Sequence, residues 1–198
     1  MLLCTCGQPG RAPRYPAVGT PLHFFSNWWE TNQGTRNASG DCNTATSAYA
    51  STRIGSVCFY LIKSTNLTWQ QARLLCNALQ AGDNEGRLAI VHTEALLHSI
   101  QMWLAEQYGG LQDPSRWWIG LYQTDTSIEP GGGWNWMNAD GVTVNRTDHV
   151  IWHTWEPNDK TGTQQCGILW YHVFELGAED IPCGWRNAGA ICELYMPV

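Results

Sequence analysis

The stretch Thr68-Trp69-Gln70-Gln71-Ala72-Arg73-Leu74-Leu75-Cys76-Asn77-Ala78-Leu79 holds a helix start and a core face in one short segment. Thr68 followed three residues later by Gln71 is a capping box, in which each side chain satisfies a backbone donor of the first turn. Trp69, Ala72, Leu75, Cys76 and Leu79 recur at helical spacing, and Gly82 ends the run. This register turns Cys76 into the core. Upstream, Val57-Cys58-Phe59-Tyr60-Leu61-Ile62 reads as a strand rich in aromatic and branched residues. Downstream, Leu88-Ala89-Ile90-Val91 reads as a short apolar strand. Thr93 then caps a second helix with Leu96, Leu97, Ile100, Leu104 and Tyr108 on one face, stopped by Gly109-Gly110. Trp117-Trp118-Ile119-Gly120-Leu121 reads as a buried strand. The order strand, helix, strand, helix, then strands and long loops predicts an α+β fold with two helices packed on antiparallel sheet. The segment after Gly120 is poor in regular pattern and rich in Trp, Gly and polar residues, and long loops on a rigid base are where function concentrates.

Composition narrows the class. The chain has 198 residues, 43% apolar and only 14% charged. Its formal charge is -6, from 17 acidic and 11 basic residues, which argues against a nucleic-acid partner. No apolar run approaches the ~18 residues of a membrane-spanning helix. Twelve Trp, 20 Gly and 8 Cys exclude disorder, coiled coil and collagen. The cysteines are scattered, and Cys4-Thr5-Cys6 is the tightest spacing, so zinc ribbons and fingers are disfavoured. An even number of scattered cysteines fits disulfides in an oxidising compartment. Three glycosylation acceptors agree, Asn37-Ala38-Ser39, Asn66-Leu67-Thr68 and Asn145-Arg146-Thr147. The expected location is secreted, or on the extracellular face of a larger protein.

Residues 1–41 read as an N-terminal arm or linker, with Cys4 to Gly10 as the end of a truncated module or as cysteines bonded elsewhere. Phe24, Phe25, Trp28 and Trp29 are too apolar for free linker. Met1-Leu2-Leu3-Cys4 is too short for the apolar core of a secretion leader, so the expectation is a missing natural start or a piece of a longer precursor. Residues 42–198 form the predicted domain.

Within that domain a series of motifs resembles the C-type lectin-like domains, from about Cys42 to Glu193. In family order stand Trp69 to Cys76, Trp118-Ile119-Gly120-Leu121, Trp134-Asn135-Trp136, Glu156-Pro157-Asn158, Cys166, Cys183, and Ala190-Ile191-Cys192-Glu193. The resemblance implies a disulfide-stabilised fold with a long-loop region and bridges Cys76–Cys192 and Cys166–Cys183. It also implies Cys42–Cys58, which closes the N-terminal hairpin of the long form. The first bridge closes a loop worth up to ~4.7 kcal/mol in the chain-entropy model.

The chief site candidate is Glu156-Pro157-Asn158. Alternate residues of an extended segment point the same way, so two oxygen-bearing side chains reach one ion, and a cis peptide before Pro157 would fix that geometry. With no His or Cys in the set, the composition suits a hard cation, calcium over zinc. The resemblance implies the rest of the shell: Gln164 where the family usually has an acid, and Glu179 and Asp180 where it has Asn-Asp. It also implies that sugar hydroxyls complete the ion's coordination. Glu156, Asn158, Gln164 and Glu179 would then face the sugar. By that resemblance the tripeptide is mannose-type, while the reversed pair Gln164/Glu179 gives a polarity compatible with galactose. Among nearby aromatics, Trp152, Trp155, Trp170 and Tyr171, the best stacking candidate is Trp155. Trp118, Trp134, Trp136 and Trp185 match core positions. The resemblance also implies a second calcium site that would use Asp125, Glu129 and Asp159.

The expected function is therefore calcium-dependent carbohydrate binding by a non-catalytic module, with glycans or glycoproteins as partners and oligomerisation for avidity. The alternative is calcium-independent recognition of a protein ligand. His149 and His153 flank a strand-like segment and are assigned no metal. No His-Glu-x-x-His, G-x-S-x-G or P-loop motif occurs, so no catalytic residue is assigned.

Overall fold

The structure is a computed structural model that describes Cys42 and residues 49–111, 115–146 and 150–196. The expectations for residues 1–41, for Cys4, Cys6, Asn37 and His149, and for the Asn145 side chain lie outside the described residues. Strand β1 (Ala50–Ile54) and β2 (Val57–Leu67) form an antiparallel hairpin. Helix α1 follows at Trp69–Asn77. Three two-residue strands come next, β3 (Gln80–Ala81), β4 (Asn84–Glu85) and β5 (Arg87–Leu88). Helix α2 spans Glu94–Tyr108. The remaining strands are β6 (Ser115–Gln123), β7 (Trp134–Met137), β8 (Thr143–Arg146), β9 (Cys166–His172), β10 (Glu175–Ile181) and β11 (Ala188–Tyr195).

Both helices begin as their sequences dictate. The Gln71 N–H donates to Thr68 Oγ1 across 3.3 Å, and the Thr68 N–H donates to Gln71 Oε1 across 3.0 Å. Helix α1 buries Trp69, Ala72 and Cys76. It ends at Asn77, earlier than the apolar spacing suggests: Leu79 is buried from the turn after it, and Gly82, with φ 61°, shapes the small β3–β4 hairpin. Thr93 caps α2 by accepting the Leu96 N–H across 3.2 Å, and Gly109 closes it in the left-handed conformation. Leu97, Ile100, Trp103 and Leu104 are its buried face.

The main sheet runs β1-β2-β11-β6-β7-β8, with β9 on β6, β10 on β9 and β5 on β11. Its pairings are antiparallel except for β11 with β6, which run parallel through Gly189↔Trp117 and Ala190↔Trp118. Of the strand expected at Leu88–Val91 only Leu88 lies in a strand, β5. The Ala89 N–H still reaches β11 at the Ile191 carbonyl, and the Ile90 N–H then turns to the Glu193 carboxylate across 2.9 Å. That carboxylate also holds Arg87 at 2.7 Å. Burial pushes Glu193 up, and Arg87 opposes the shift.

Core residues fall into two clusters. One gathers Phe59, Leu61, Ile100, Leu104, Trp117 and Trp136; the other holds Tyr60, Trp69, Cys76, Trp118 and Ile168. Three disulfides join the elements, Cys42–Cys58, Cys76–Cys192 and Cys166–Cys183, as the family resemblance implies. Trp118, Trp134 and Trp136 are buried as expected. Trp185 is only half-buried and meets Trp118 edge-on, with ring centroids 6.3 Å apart.

Candidate functional site

The candidate site is assembled where a loop lies along β10. Ala178 donates its N–H to the Ile151 carbonyl across 2.8 Å, and the His153 N–H donates to the Ala178 carbonyl across 2.9 Å. Gly177 makes this contact possible, because a Cβ there would fall 2.5 Å from the His153 backbone nitrogen. The loop then delivers Glu156-Pro157-Asn158 with a cis peptide between Glu156 and Pro157. Asn158 Nδ2 donates to Glu156 Oε1 across 2.7 Å, so the two side chains of the tripeptide meet.

Asp180 anchors the segment from β10. It is fully buried, and its carboxylate accepts the Asn158 N–H across 2.8 Å and the Asp159 N–H across 2.7 Å. Gln164 locks Asp180 from the other side. Its Nε2 donates to the Asp180 carbonyl across 2.8 Å, and its Oε1 accepts the Thr161 N–H across 3.3 Å. Asp159 completes the turn by accepting the Gln164 N–H across 3.0 Å.

Glu179 goes elsewhere. Its carboxylate lies 3.1 Å from Arg116 Nε, and the Arg116 guanidinium sits 4.9 Å from the Trp170 ring centroid and 5.4 Å from that of Trp185. Trp170 is therefore packed rather than presented, stacked on His172 at 4.6 Å and against His153 at 4.5 Å. Trp152 likewise packs edge-on against Trp134 at 5.0 Å. Trp155 stands apart from these: it is 89% exposed and adjoins Glu156.

Electrostatically the site is unbalanced. Burial first, then hydrogen bonding and charge from Asp180, and then the charge of Glu179 push the Glu156 carboxyl up to about 9. Asn158 only partly opposes this. Burial also raises Glu179, with Arg116 pulling the other way. Glu156 Oε2 is buried with no donor group against it, so the carboxyl can share only a proton with Asp180. An orphaned carboxylate oxygen beside a second carboxylate fits an oxygen-seeking divalent cation in both charge and donor type. The fit is to Glu156, Asn158 and Asp180. Gln164 braces that set, and Glu179 is paired outside it. Among the described residues no group of three or more Asp, Glu, His or Cys gathers at metal-binding distance.

The second constellation is occupied by local bonds. Asp125 accepts the Ser127 N–H across 2.9 Å, and its bonds to Ser127 hold its carboxyl below the usual range. Glu129 accepts Gln123 Nε2 across 2.9 Å. Asp159 serves the turn at Gln164. Sequence reading missed Arg116 and Gly177, whose roles depend on strands distant in sequence. Arg116 directly precedes the buried Trp117-Trp118 strand, which was its one available signal.

The fold is that of the C-type lectins, a class of recognition module. The chain matches the lectin C-type domain model over residues 65–194, and it belongs to that family. No curated protein matches it. Among solved structures it is similar to the C-type lectin CEL-I from Cucumaria echinata, at 20% identity and TM-score 0.58, over 74% of this chain and 96% of that one. It is also similar to the C-type lectin domain of murine dendritic cell inhibitory receptor 2 in complex with N-glycan, at 20% identity and TM-score 0.55, over 74% and 96%. Human lithostathine gives 21% identity and TM-score 0.55, over 74% and 97%. At these identities the likeness is one of fold. Among the described residues no helix is long and apolar enough to cross a membrane.

Proposed function

We propose that this domain binds carbohydrate in a calcium-dependent manner at the Glu156–Asn158 site, as a non-catalytic module facing an extracellular space. The observation that carries the proposal is the half-buried Glu156 carboxylate beside Asp180, whose Oε2 is buried with no donor group against it. Glu156, Asn158 and Asp180 would hold the ion, and Gln164 keeps Asp180 in place. Calcium, when bound, supplies open coordination positions for sugar hydroxyls. The chain's own groups set the polarity: Glu156 accepts a hydroxyl proton, and the Asn158 amide beside it donates to a hydroxyl oxygen. Trp155 adds an apolar ring face next to them.

This favours mannose-type recognition, because Glu156 and Asn158 are joined while Gln164 and Glu179 are each engaged elsewhere. Galactose-type polarity would need that second pair at the sugar. Asn66, exposed on β2, is the acceptor through which glycosylation of the domain is proposed.

Inhibition of immobilised-glycan binding by free mannose or galactose, with calcium or with EDTA, tests the assignment. Inhibition by mannose in calcium, and no binding in EDTA, is expected. Galactose inhibition with mannose inert would overturn the mannose assignment, and binding that survives EDTA would overturn calcium dependence. A second reading, recognition of a protein ligand without calcium, is favoured by one observation: Arg116 already supplies a cation to Glu179.

A further inference from the structure

Two exposed aromatic rings stand on strained backbone, one of them directly preceding Glu156. Trp155 is 89% exposed, Phe174 86% and Val173 64%. Their φ angles are 74°, 65° and 50°, in the left-handed region where glycine sits without steric cost and bulky or branched residues do not. Val173 and Phe174 are the two central residues of the turn between β9 and β10, closed by the pair His172↔Glu175. Such turns favour Asn-Gly, Asp-Gly or Gly-Gly. Here a branched residue and an aromatic residue stand at the tip, exposed, where they add little to the core. Strain of this kind at the surface points to function.

The two rings belong to one structure. The Thr154 N–H donates to Glu175 Oε1 across 3.1 Å, and Thr154 Oγ1 donates to Glu175 Oε2 across 2.7 Å. His153 Nε2 lies 3.2 Å from the His172 carbonyl oxygen, fastening the same loop to the same hairpin. Trp155 follows Thr154 and Phe174 precedes Glu175, so the rings flank this clasp. Trp155 also directly precedes Glu156, so the first ring adjoins the ion-site tripeptide, and the clasp ties that loop to the hairpin that carries the second ring.

We infer that Trp155 and Phe174 form a second sugar subsite, in which Phe174 meets a second pyranose ring while the first sits at Glu156 and Asn158. The inference rests on the carbohydrate reading above, and it makes the ligand a disaccharide or longer oligosaccharide. Aromatic faces stack on the apolar faces of pyranose rings. The charge around the rings selects this occupant over two others. The Glu175 carboxylate lies next to Phe174 and the chain carries -6, which opposes an anionic bilayer and a second copy of the chain alike. An uncharged, hydroxyl-bearing glycan suits both the acceptors and the rings.

The experiment is calorimetric titration in calcium with methyl mannoside, methyl galactoside, and mannose- and galactose-terminated disaccharides. The proteins are the wild type, Phe174→Gly, which relaxes the turn and so protects folding, and Phe174→Tyr, which keeps the ring. The wild type is expected to bind a disaccharide about tenfold more tightly than its monosaccharide. Phe174→Gly is expected to lose that gain with monosaccharide affinity unchanged, and Phe174→Tyr to retain it. Equal wild-type affinity for both ligands, or an unaltered gain in Phe174→Gly, overturns the subsite while monosaccharide binding leaves the primary site standing. Absence of all sugar binding overturns both. Wild-type binding to phosphatidylserine vesicles, or self-association in sedimentation, that Phe174→Gly abolishes assigns the rings to another occupant and overturns the subsite.

Discussion

Glu179 gives its carboxylate to Arg116, 3.1 Å from the guanidinium, while its neighbour Asp180 accepts the backbone N–H groups of Asn158 and Asp159. Adjacent acids on β10 thus serve different ends. Arg116 removes one carboxylate from the candidate ion site and places a positive charge near it. Arg116→Met is expected to tighten calcium binding by about tenfold, ~1.4 kcal/mol. Calorimetric titration with calcium chloride measures it, and an unchanged or weaker affinity would count against the competition.

Glu156→Gln keeps the shape of the side chain and removes its charge. It is expected to abolish calcium-dependent glycan binding while the protein still melts cooperatively without calcium, since burial and Asp180 already push the Glu156 carboxyl toward its neutral form. Asn158→Ala should also lose glycan binding, with near-native circular dichroism. Retained glycan affinity in either variant contradicts the site.

Glu156 has a signed pH signature. Its carboxyl rises from 4.5 to about 9 on folding, so the folded state keeps a proton that the unfolded chain releases. The resulting stability is full below the unfolded value and is lost progressively as pH climbs toward the folded value. In EDTA, Tm should fall as pH is raised from about 5 to about 9, and Glu156→Gln should flatten that slope. Calcium should reverse the trend, because ligand carboxylates must ionise to bind it and acid releases it. A rising Tm over this range in EDTA for the wild type, unaltered in Glu156→Gln, would refute the assignment.

Cys76–Cys192 joins α1 to the central strand β11 across 116 residues of sequence. Replacing both cysteines with alanine should cost about 2–5 kcal/mol in urea unfolding. A loss below ~1 kcal/mol would show that the two buried clusters hold these elements without the bridge.

What the sequence disclosed was mainly local. The Thr68–Gln71 box, the Thr93 cap and the Gly109 stop need only neighbouring residues, and both helices lie where these signals place them. Trp103 also follows the α2 apolar face, three residues after Ile100, though it was not singled out. The apolar run Leu88–Val91 misleads because the Ile90 N–H is taken by the side chain of Glu193, about a hundred residues on. The same limit governs the site. Glu156 and Asn158 are two residues apart and were legible together. Gln164 bonding to Asp180, Arg116 capturing Glu179 and the Thr154–Glu175 clasp are tertiary contacts that no spacing encodes. Val173 and Phe174 carry no turn signature, so their exposure was visible only in three dimensions.

The most direct measurement is the melting temperature of the wild type with and without calcium. At saturating calcium, Tm should rise by roughly 5–10 °C, and EDTA should reverse the gain together with glycan binding. Identical melting curves in calcium and EDTA, with glycan binding intact in both, would contradict a calcium site at Glu156, Asn158 and Asp180.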